Sequence, residues 1–306
     1  MKRNGPKNLV ASIQARLVER SRELGVEHQL TLARFGGERL LYRLSKSEFA
    51  DRFILKGAAL LLLWLGEPIR PTKDVDLLGF GDTSAEALKR VFVSLCAIEA
   101  AEDGLVFLVE SVEVEAIREE QEYGGMRIKL MAMLGNVRIP LQVDVGAGDA
   151  VVPPPEVLDF PGLLDLPRAR LRAYRPETSI AEKTEAMVRL ALANSRMKDF
   201  FDIHRLAETR TFDGETMRLA VTATFTRRGV DIPTERPLAL TSEFAEDAQK
   251  KVQWAAFVRR TRRPDLHDLS AIIAALDRFL WPLLQAAARG KPWPVTWSNG
   301  GPWKEA

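Results

Sequence analysis

Hydrophobic residues recur at three- and four-residue intervals over residues 9–47, and this spacing predicts two amphipathic helices. From residue 105 to residue 145 the period changes to two, which indicates β-strands with one apolar face. Gly135 and Asn136 predict a tight hairpin turn between two of these strands. Each strand then has one apolar face, formed by Met126, Ile128, Leu130 and Leu134 in the first and by Ile139, Leu141, Val143 and Val145 in the second.

Between these regions, the pattern predicts a helix, a strand and a second helix. Gly57 precedes a small-residue helix that is expected to end near Gly66. Residues 73–80, with the sequence KDVDLLGF, predict a buried strand. The amphipathic segment that follows predicts a helix capped by Thr83 or Ser84.

Helical periodicity dominates the second half of the chain, and the proline-rich stretch 151–167 predicts the connection that leads into it. The tail from Lys291, with three tryptophans among prolines and glycines, predicts an irregular strap. We therefore expect an α+β, bilobed protein in which residues 1–165 form N-terminal helices and a mixed sheet. Residues 166–306 are expected to form a C-terminal helical lobe.

Composition narrows the class of protein. The chain has 306 residues, 46% hydrophobic and 28% charged, which is the balance of a soluble globular protein. Cys96 is the single cysteine, which excludes an intramolecular disulfide and a thiolate zinc cage. The most apolar run, 58–66, is too short to cross a bilayer, and we expect a cytoplasmic protein with no membrane segment. Because the net charge is only +2, any nucleic acid would have to bind a local basic patch and not the surface as a whole.

Asp74 and Asp76 carry the clearest candidate chemistry. They are two residues apart on a predicted strand, so both side chains point to the same side, where a divalent cation would relieve their repulsion. Mg²⁺ suits such a pair because it keeps positions open for substrate phosphates. An exposed edge-strand pair or a helix-cap ion pair is the alternative for an isolated Asp-x-Asp. The helix after Gly57 favours a nucleotide site, since a helix N-terminus attracts phosphates.

Three further segments contain candidate residues, each with a structural alternative. Asp144 lies on the polar face of its strand and is either a third metal-facing acid, a general base, or a strand-end residue bound to a lysine. Lys183 taken alone is typical of a solvated helix surface. Asp199 and Asp202 share a helix face, with Arg196 and Lys198 at the same helix start; alone, this favours an acidic cluster that matches the helix dipole.

Taken together, these segments resemble the AbiEii/AbiGii toxin family, which includes the MenT-type toxins and belongs to the polymerase-beta-type nucleotidyltransferases. The matching segments follow the family's order and are LKGAALLLLWLGEPIRPTKDVDLL, IPLQVDVG and AEKTEAMVRLALANSRMKDFFDIHRL. The resemblance spans nearly the whole chain and implies that the N-terminal lobe contains a nucleotidyltransferase core. It also implies an NTP substrate and Mg²⁺.

The resemblance assigns roles to individual residues. It implies that Asp74 and Asp76 hold Mg²⁺ and the NTP, that Lys183 contacts phosphates and that Asp199 helps to assemble the site. The other family motif positions fall on Thr72, Arg196 and Lys198. The chain departs from the family at Lys56-Gly57-Ala58, where relatives often have Gly-Gly or Gly-Ser, so that Lys56 or Thr72 must replace the contact of a serine hydroxyl.

The implied function is a toxin of a toxin–antitoxin or abortive-infection system that transfers a nucleoside monophosphate to an acceptor, which we expect to be the 3′ end of tRNA. Basic clusters at 227–229 and 257–263 would track the RNA backbone, although such runs are also typical of solvated helices. A small-molecule acceptor, a protein acceptor and a non-catalytic binding module are the alternatives. A winged-helix antitoxin of the AbiEi type, encoded nearby, is the implied partner.

Overall fold

A computed structural model of the chain describes residues 6–66, 74–117, 125–261 and 268–305. The chain forms two compact units. The first unit comprises Met1–Leu63, Pro71–Gly148 and Glu156–Ala173, and the second comprises Trp64–Arg70, Asp149–Pro155 and Tyr174–Ala306.

The first unit is built on a mixed sheet that has seven strands within the described ranges. Its strand order is β3-β4-β5-β2-β1-β7-β6. The pairs β2–β5 and β1–β7 are parallel and the other neighbours are antiparallel. The strands are β1 (Phe53–Lys56), β2 (Asp74–Gly79), β3 (Leu105–Ala116), β4 (Met126–Leu134), β5 (Val137–Ala147), β6 (Glu156–Asp159) and β7 (Arg170–Ala173).

The N-terminal helices α1 (Pro6–Glu23) and α2 (His28–Ser45) confirm the helical periodicity of residues 9–47. Two more helices follow, α3 (Ala59–Leu65) and α4 (Ala85–Cys96). Of the two predicted caps of α4, Ser84 is the one observed, since its hydroxyl accepts a hydrogen bond from the Ala87 N–H.

Helix α2 covers one face of the sheet at close range. A methyl group added to Gly36 would come within 2.9 Å of Leu141, and one added to Gly37 within 3.2 Å of Val75. Val143, like Leu141, is buried on β5. Because side chains alternate along a strand, this packing leaves the polar residues between these positions on the opposite face of β2 and β5.

The second unit is mainly helical, as predicted. Its helices are α5 (Pro176–Leu190), α6 (Met197–Thr209), α7 (Gly214–Arg227), α8 (Ser242–Glu246), α9 (Ala248–Thr261) and α10 (Leu269–Arg289). By length and composition, α10 is the one helix in the described part of the chain that could cross a membrane. Half of its apolar window is buried in the protein, and a core helix passes the same test.

Two segments for which the sequence predicts no strand contain strands. Residues 156–159 of the proline-rich connection form β6, which pairs with β7 at the edge of the large sheet. The tryptophan-rich tail forms β9 (Val295–Trp297) and β10 (Trp303–Glu305), which build a small sheet with β8 (Phe212–Asp213). The prediction of an irregular strap was wrong for the tail, because β9 and β10 are very short and are held by backbone pairing, which leaves no alternating pattern in the sequence.

Candidate active site

Asp74 and Asp76 lie on β2 with half-buried side chains that point to the same face of the sheet. The neighbouring strand β5 runs parallel, and its register sets Gln142 beside Asp74 and Asp144 beside Asp76. The three acids therefore share the face opposite α2, within one pair of adjacent strands. Antiparallel pairing with β1 adds Lys56 on the other side of Asp76.

Gly57 allows the Asp76 carboxylate to lie directly against the backbone of the β1–α3 turn. Its φ is +76°, in the left-handed region that favours glycine. A methyl group placed on Gly57 would overlap the Asp76 carboxylate. The turn thus brings Asp76 next to the start of α3, as the sequence predicts for a glycine-led helix that faces an acidic strand.

Replacing Gly57 by alanine is expected to displace Asp76 and to lower any activity that depends on it by about a hundredfold, the typical cost of misplacing a reacting group by 1 Å. Gly81→Ala is the matched control, because Gly81 has the same φ of +76° but open space where the methyl group would be. Both variants should lose about 1–2 kcal/mol of stability from backbone strain. Equal activity in the two variants would contradict the proposed contact.

Asp144 forms an ion pair with an arginine. From the sequence, a strand-end pairing with a lysine was one alternative for this residue. Arg127 on β4 lies directly opposite Asp144 in the hairpin register. Its Nε donates to Oδ1 at 2.9 Å and its Nη2 to Oδ2 at 2.7 Å. These hydrogen bonds raise the pKa of Arg127 above its usual value. The Gln142 amide also donates to Asp144, at 3.2 Å, so the third acid is held in a fixed orientation.

The donor set on β2 fits a magnesium ion. Two half-buried carboxylates face the same side of the sheet, and Mg²⁺ is commonly held by one or two carboxylates together with substrate phosphates. Among the described residues, no three acidic, histidine or cysteine side chains form a ready-made metal cluster. Asp144 could join such a cluster while still paired with Arg127, because each carboxylate oxygen has two lone pairs.

A second cluster of charged residues lies in the helical unit, where α6 meets α5. The Lys183 ammonium donates to Asp199 at 2.5 Å and to Asp202 at 2.8 Å. Arg196 approaches the other oxygen of Asp199 at 2.7 Å. Both aspartate side chains are buried, with exposed fractions of 1% and 0%, and Lys183 is 13% exposed. The three-residue spacing of the aspartates places them on one face of α6, toward Lys183.

Opposing effects act on the pKa of Asp199. Burial is the largest and would raise it, but the adjacent Lys183 ammonium and Arg196 guanidinium together outweigh burial and hold the pKa below its usual value. The carboxylate is therefore ionised at neutral pH. Asp199 lies in the first turn of α6, as the acidic-cluster alternative has it, and it is also paired with Lys183 of α5.

The structure brings most of the predicted site residues into these two clusters. Lys198 is exposed on the first turn of α6, and Thr72 lies outside the described residues. Asp202 was not among the predicted site residues, although its spacing from Asp199 is a visible signal. Arg127 was also missed, yet the hairpin turn at Gly135-Asn136 fixes the register that leads to it.

A family model described as nucleotidyl transferase AbiEii toxin, type IV toxin–antitoxin system, matches residues 39–280. The chain belongs to the AbiEii family. The predicted family and the nucleotidyltransferase class are thereby confirmed, and the matched range contains all the predicted site residues. Among curated proteins, none matches the sequence of this AbiEii-family chain.

Two solved structures from Helicobacter pylori show a distant likeness to this AbiEii-family protein. JHP933 is 16% identical, with a TM-score of 0.43 over 86% of this chain and 93% of that chain. A protein described as a candidate nucleotidyltransferase is also 16% identical, with a TM-score of 0.45 over 86% of this chain and 96% of that chain.

Proposed function

We propose that this protein transfers a nucleoside monophosphate from an NTP to an acceptor hydroxyl, with Mg²⁺ held by Asp74 and Asp76. The observation that carries this proposal is the packing of Asp76 against Gly57, next to Asp74 on the same strand face. A nucleotidyltransferase must neutralise the negative charge of a triphosphate, and a Mg²⁺ ion held by two carboxylates beside the start of a helix suits that task.

In the proposed reaction, the acceptor oxygen forms a bond to the α-phosphorus of the NTP. The bond from that phosphorus to the oxygen leading to the β-phosphate breaks, and pyrophosphate leaves. When bound, Mg²⁺ supplies charge neutralisation on the phosphate oxygens. Asp144 is the third acid of the site, either as a further metal ligand or as the base that takes the hydroxyl proton, and Arg127 orients it.

Lys183, Arg196 and Lys198 are proposed to contact the phosphates. Two buried aspartates fix the Lys183 ammonium, and a charge that is fixed before the substrate binds needs no reorganisation during the reaction. Asp199 then acts by positioning Lys183 and Arg196. Lys56, in register with Asp76, and Thr72 are the proposed replacements for the family's serine contact.

We propose that the acceptor is the 3′ end of tRNA. Arg259 and Arg260 support this because they are exposed on consecutive positions at the end of α9, where they can bind phosphates of an RNA backbone. We also propose an antitoxin as the partner protein, of the winged-helix class and encoded nearby. The family description, which names a toxin–antitoxin system, supports an antitoxin partner.

The acceptor is tested by incubating the purified protein with labelled NTPs, Mg²⁺ and total tRNA. Changing Arg259 and Arg260 to glutamate should lower tRNA labelling at least about tenfold and weaken its dependence on salt. The matched control changes Arg16 and Arg22 of α1, also exposed, to glutamate. Full labelling by the α9 variant would contradict the RNA proposal. Label on a small molecule or on a protein would identify another acceptor. If the wild-type protein releases no pyrophosphate, a non-catalytic binding module is favoured.

A further inference from the structure

Lys250 is a buried lysine in α9 whose ammonium is surrounded by neutral groups. The residue is 2% exposed. Its Nζ donates to the backbone carbonyl of Asn194 at 2.9 Å and to Gln253 Oε1 at 3.2 Å, and it lies 5.6 Å from the centre of the Phe244 ring. Burying a charge among neutral partners costs free energy that a carboxylate would offset better. The hydrogen bonds to Asn194 and Gln253 and the contact with the Phe244 ring are what offset this cost.

The partner of Lys250 belongs to the short segment that joins α5 to α6. Asn194 is fully buried and makes three hydrogen bonds, one of them from its own N–H to the carbonyl of Ala191 at 3.2 Å. Its carbonyl accepts from Lys250, and its side-chain Oδ1 accepts from the backbone N–H of Arg196 at 2.8 Å. Arg196 in turn contacts Asp199. A continuous series of contacts therefore leads from Lys250 to the second charged cluster.

The same segment contains a strained residue. Ala191, directly after α5, has φ of +44°, which side chains other than glycine rarely adopt. Strain of this kind persists only when surrounding contacts hold the backbone in place. Lys183 precedes this segment and Asp199 follows it, so its conformation sets how the two residues meet.

We propose that Lys250 is a positioning residue that holds the 191–196 segment, and through it sets Arg196 and Asp199 against Lys183. Its effect on nucleotidyl transfer rests on the function proposed above. Its effect on the segment does not. The ammonium acts by donating a hydrogen bond to the Asn194 carbonyl, and a side chain of similar length without an N–H donor cannot replace it.

The test compares Lys250→Met with Lys251→Met, the adjacent lysine, which is exposed. In the Lys250 variant, the Arg196 amide should exchange its hydrogen at least about tenfold faster, while the buried amides of α7 keep their protection. Nucleotidyl transfer should fall about a hundredfold, mainly in kcat, because the reacting groups are misaligned. Lys251→Met should match the wild type in both measurements.

Unchanged exchange at Arg196 would overturn the proposal, and so would faster exchange with normal transfer. A loss of protection throughout the helical unit would show a purely structural role and would also overturn it. If Lys250→Met does not fold, Lys250→Gln, which keeps an N–H donor but no charge, is expected to give an intermediate local effect, and no local effect would overturn the proposal. If the wild type transfers no nucleotide, the proposed function fails, while the exchange measurement still decides whether Lys250 holds the segment.

Discussion

Replacing Asp76 by asparagine is expected to lower nucleotidyl transfer about a thousandfold, a typical upper loss for removing one group that stabilises developing charge. Asparagine keeps the size of the side chain, so its packing against Gly57 is preserved. It removes the negative charge, however, and a neutral amide oxygen is a much weaker ligand for Mg²⁺. The rate is measured as pyrophosphate release at saturating NTP and Mg²⁺.

The control for this prediction is Asp159→Asn on β6. Asp159 belongs to the same sheet, but its side chain is exposed and its ion pair with Arg170 is long, at 3.9 Å. That variant should keep the wild-type rate. Thermal unfolding should show both variants folded. A rate for Asp76→Asn within about tenfold of the wild-type rate would contradict the proposed role of Asp76 in the reaction.

Replacing Lys183 by methionine is expected to lower the free energy of unfolding by about 3–5 kcal/mol. The change leaves Asp199 and Asp202, two buried carboxylates, without the cation that they share. Arg196 also contacts Asp199, but it is 39% exposed and therefore offsets only part of this loss. Urea unfolding at neutral pH measures the difference.

A triple variant separates the stability effect from catalysis. Combining Lys183→Met with Asp199→Asn and Asp202→Asn removes the buried charges together, and should restore most of the lost stability. Nucleotidyl transfer should remain low, because the proposed phosphate-binding charge is absent. If the free energy of unfolding of Lys183→Met lies within about 1 kcal/mol of the wild-type value, Lys183 does not stabilise the two buried aspartates as proposed.

Local patterns predict much of this fold. The helices α1 and α2 follow from apolar spacing, and the β4–β5 hairpin follows from alternation on either side of Gly135-Asn136. The strand β6 could not be predicted, because its side chains are mostly exposed and its pairing with β7 is set by distant parts of the chain. Pattern reasoning therefore succeeds where an element buries one face, and fails for short edge strands.

The same distinction holds for the candidate site. That Asp74 and Asp76 share a face follows from their spacing alone. That Asp144 lies beside Asp76 requires the parallel pairing of β2 with β5, which local spacing does not contain. The contact of Lys183 with Asp199 and Asp202 depends on the packing of α5 against α6. The roles of these residues in the reaction stay predictions.

The most direct test of the metal proposal is anomalous diffraction from crystals grown with Mn²⁺ and a non-hydrolysable NTP. We expect a manganese peak within bonding distance of carboxylate oxygens of Asp74 and Asp76, with triphosphate oxygens as further ligands. A manganese peak elsewhere at saturating Mn²⁺ and nucleotide, with neither aspartate among its ligands, would contradict it.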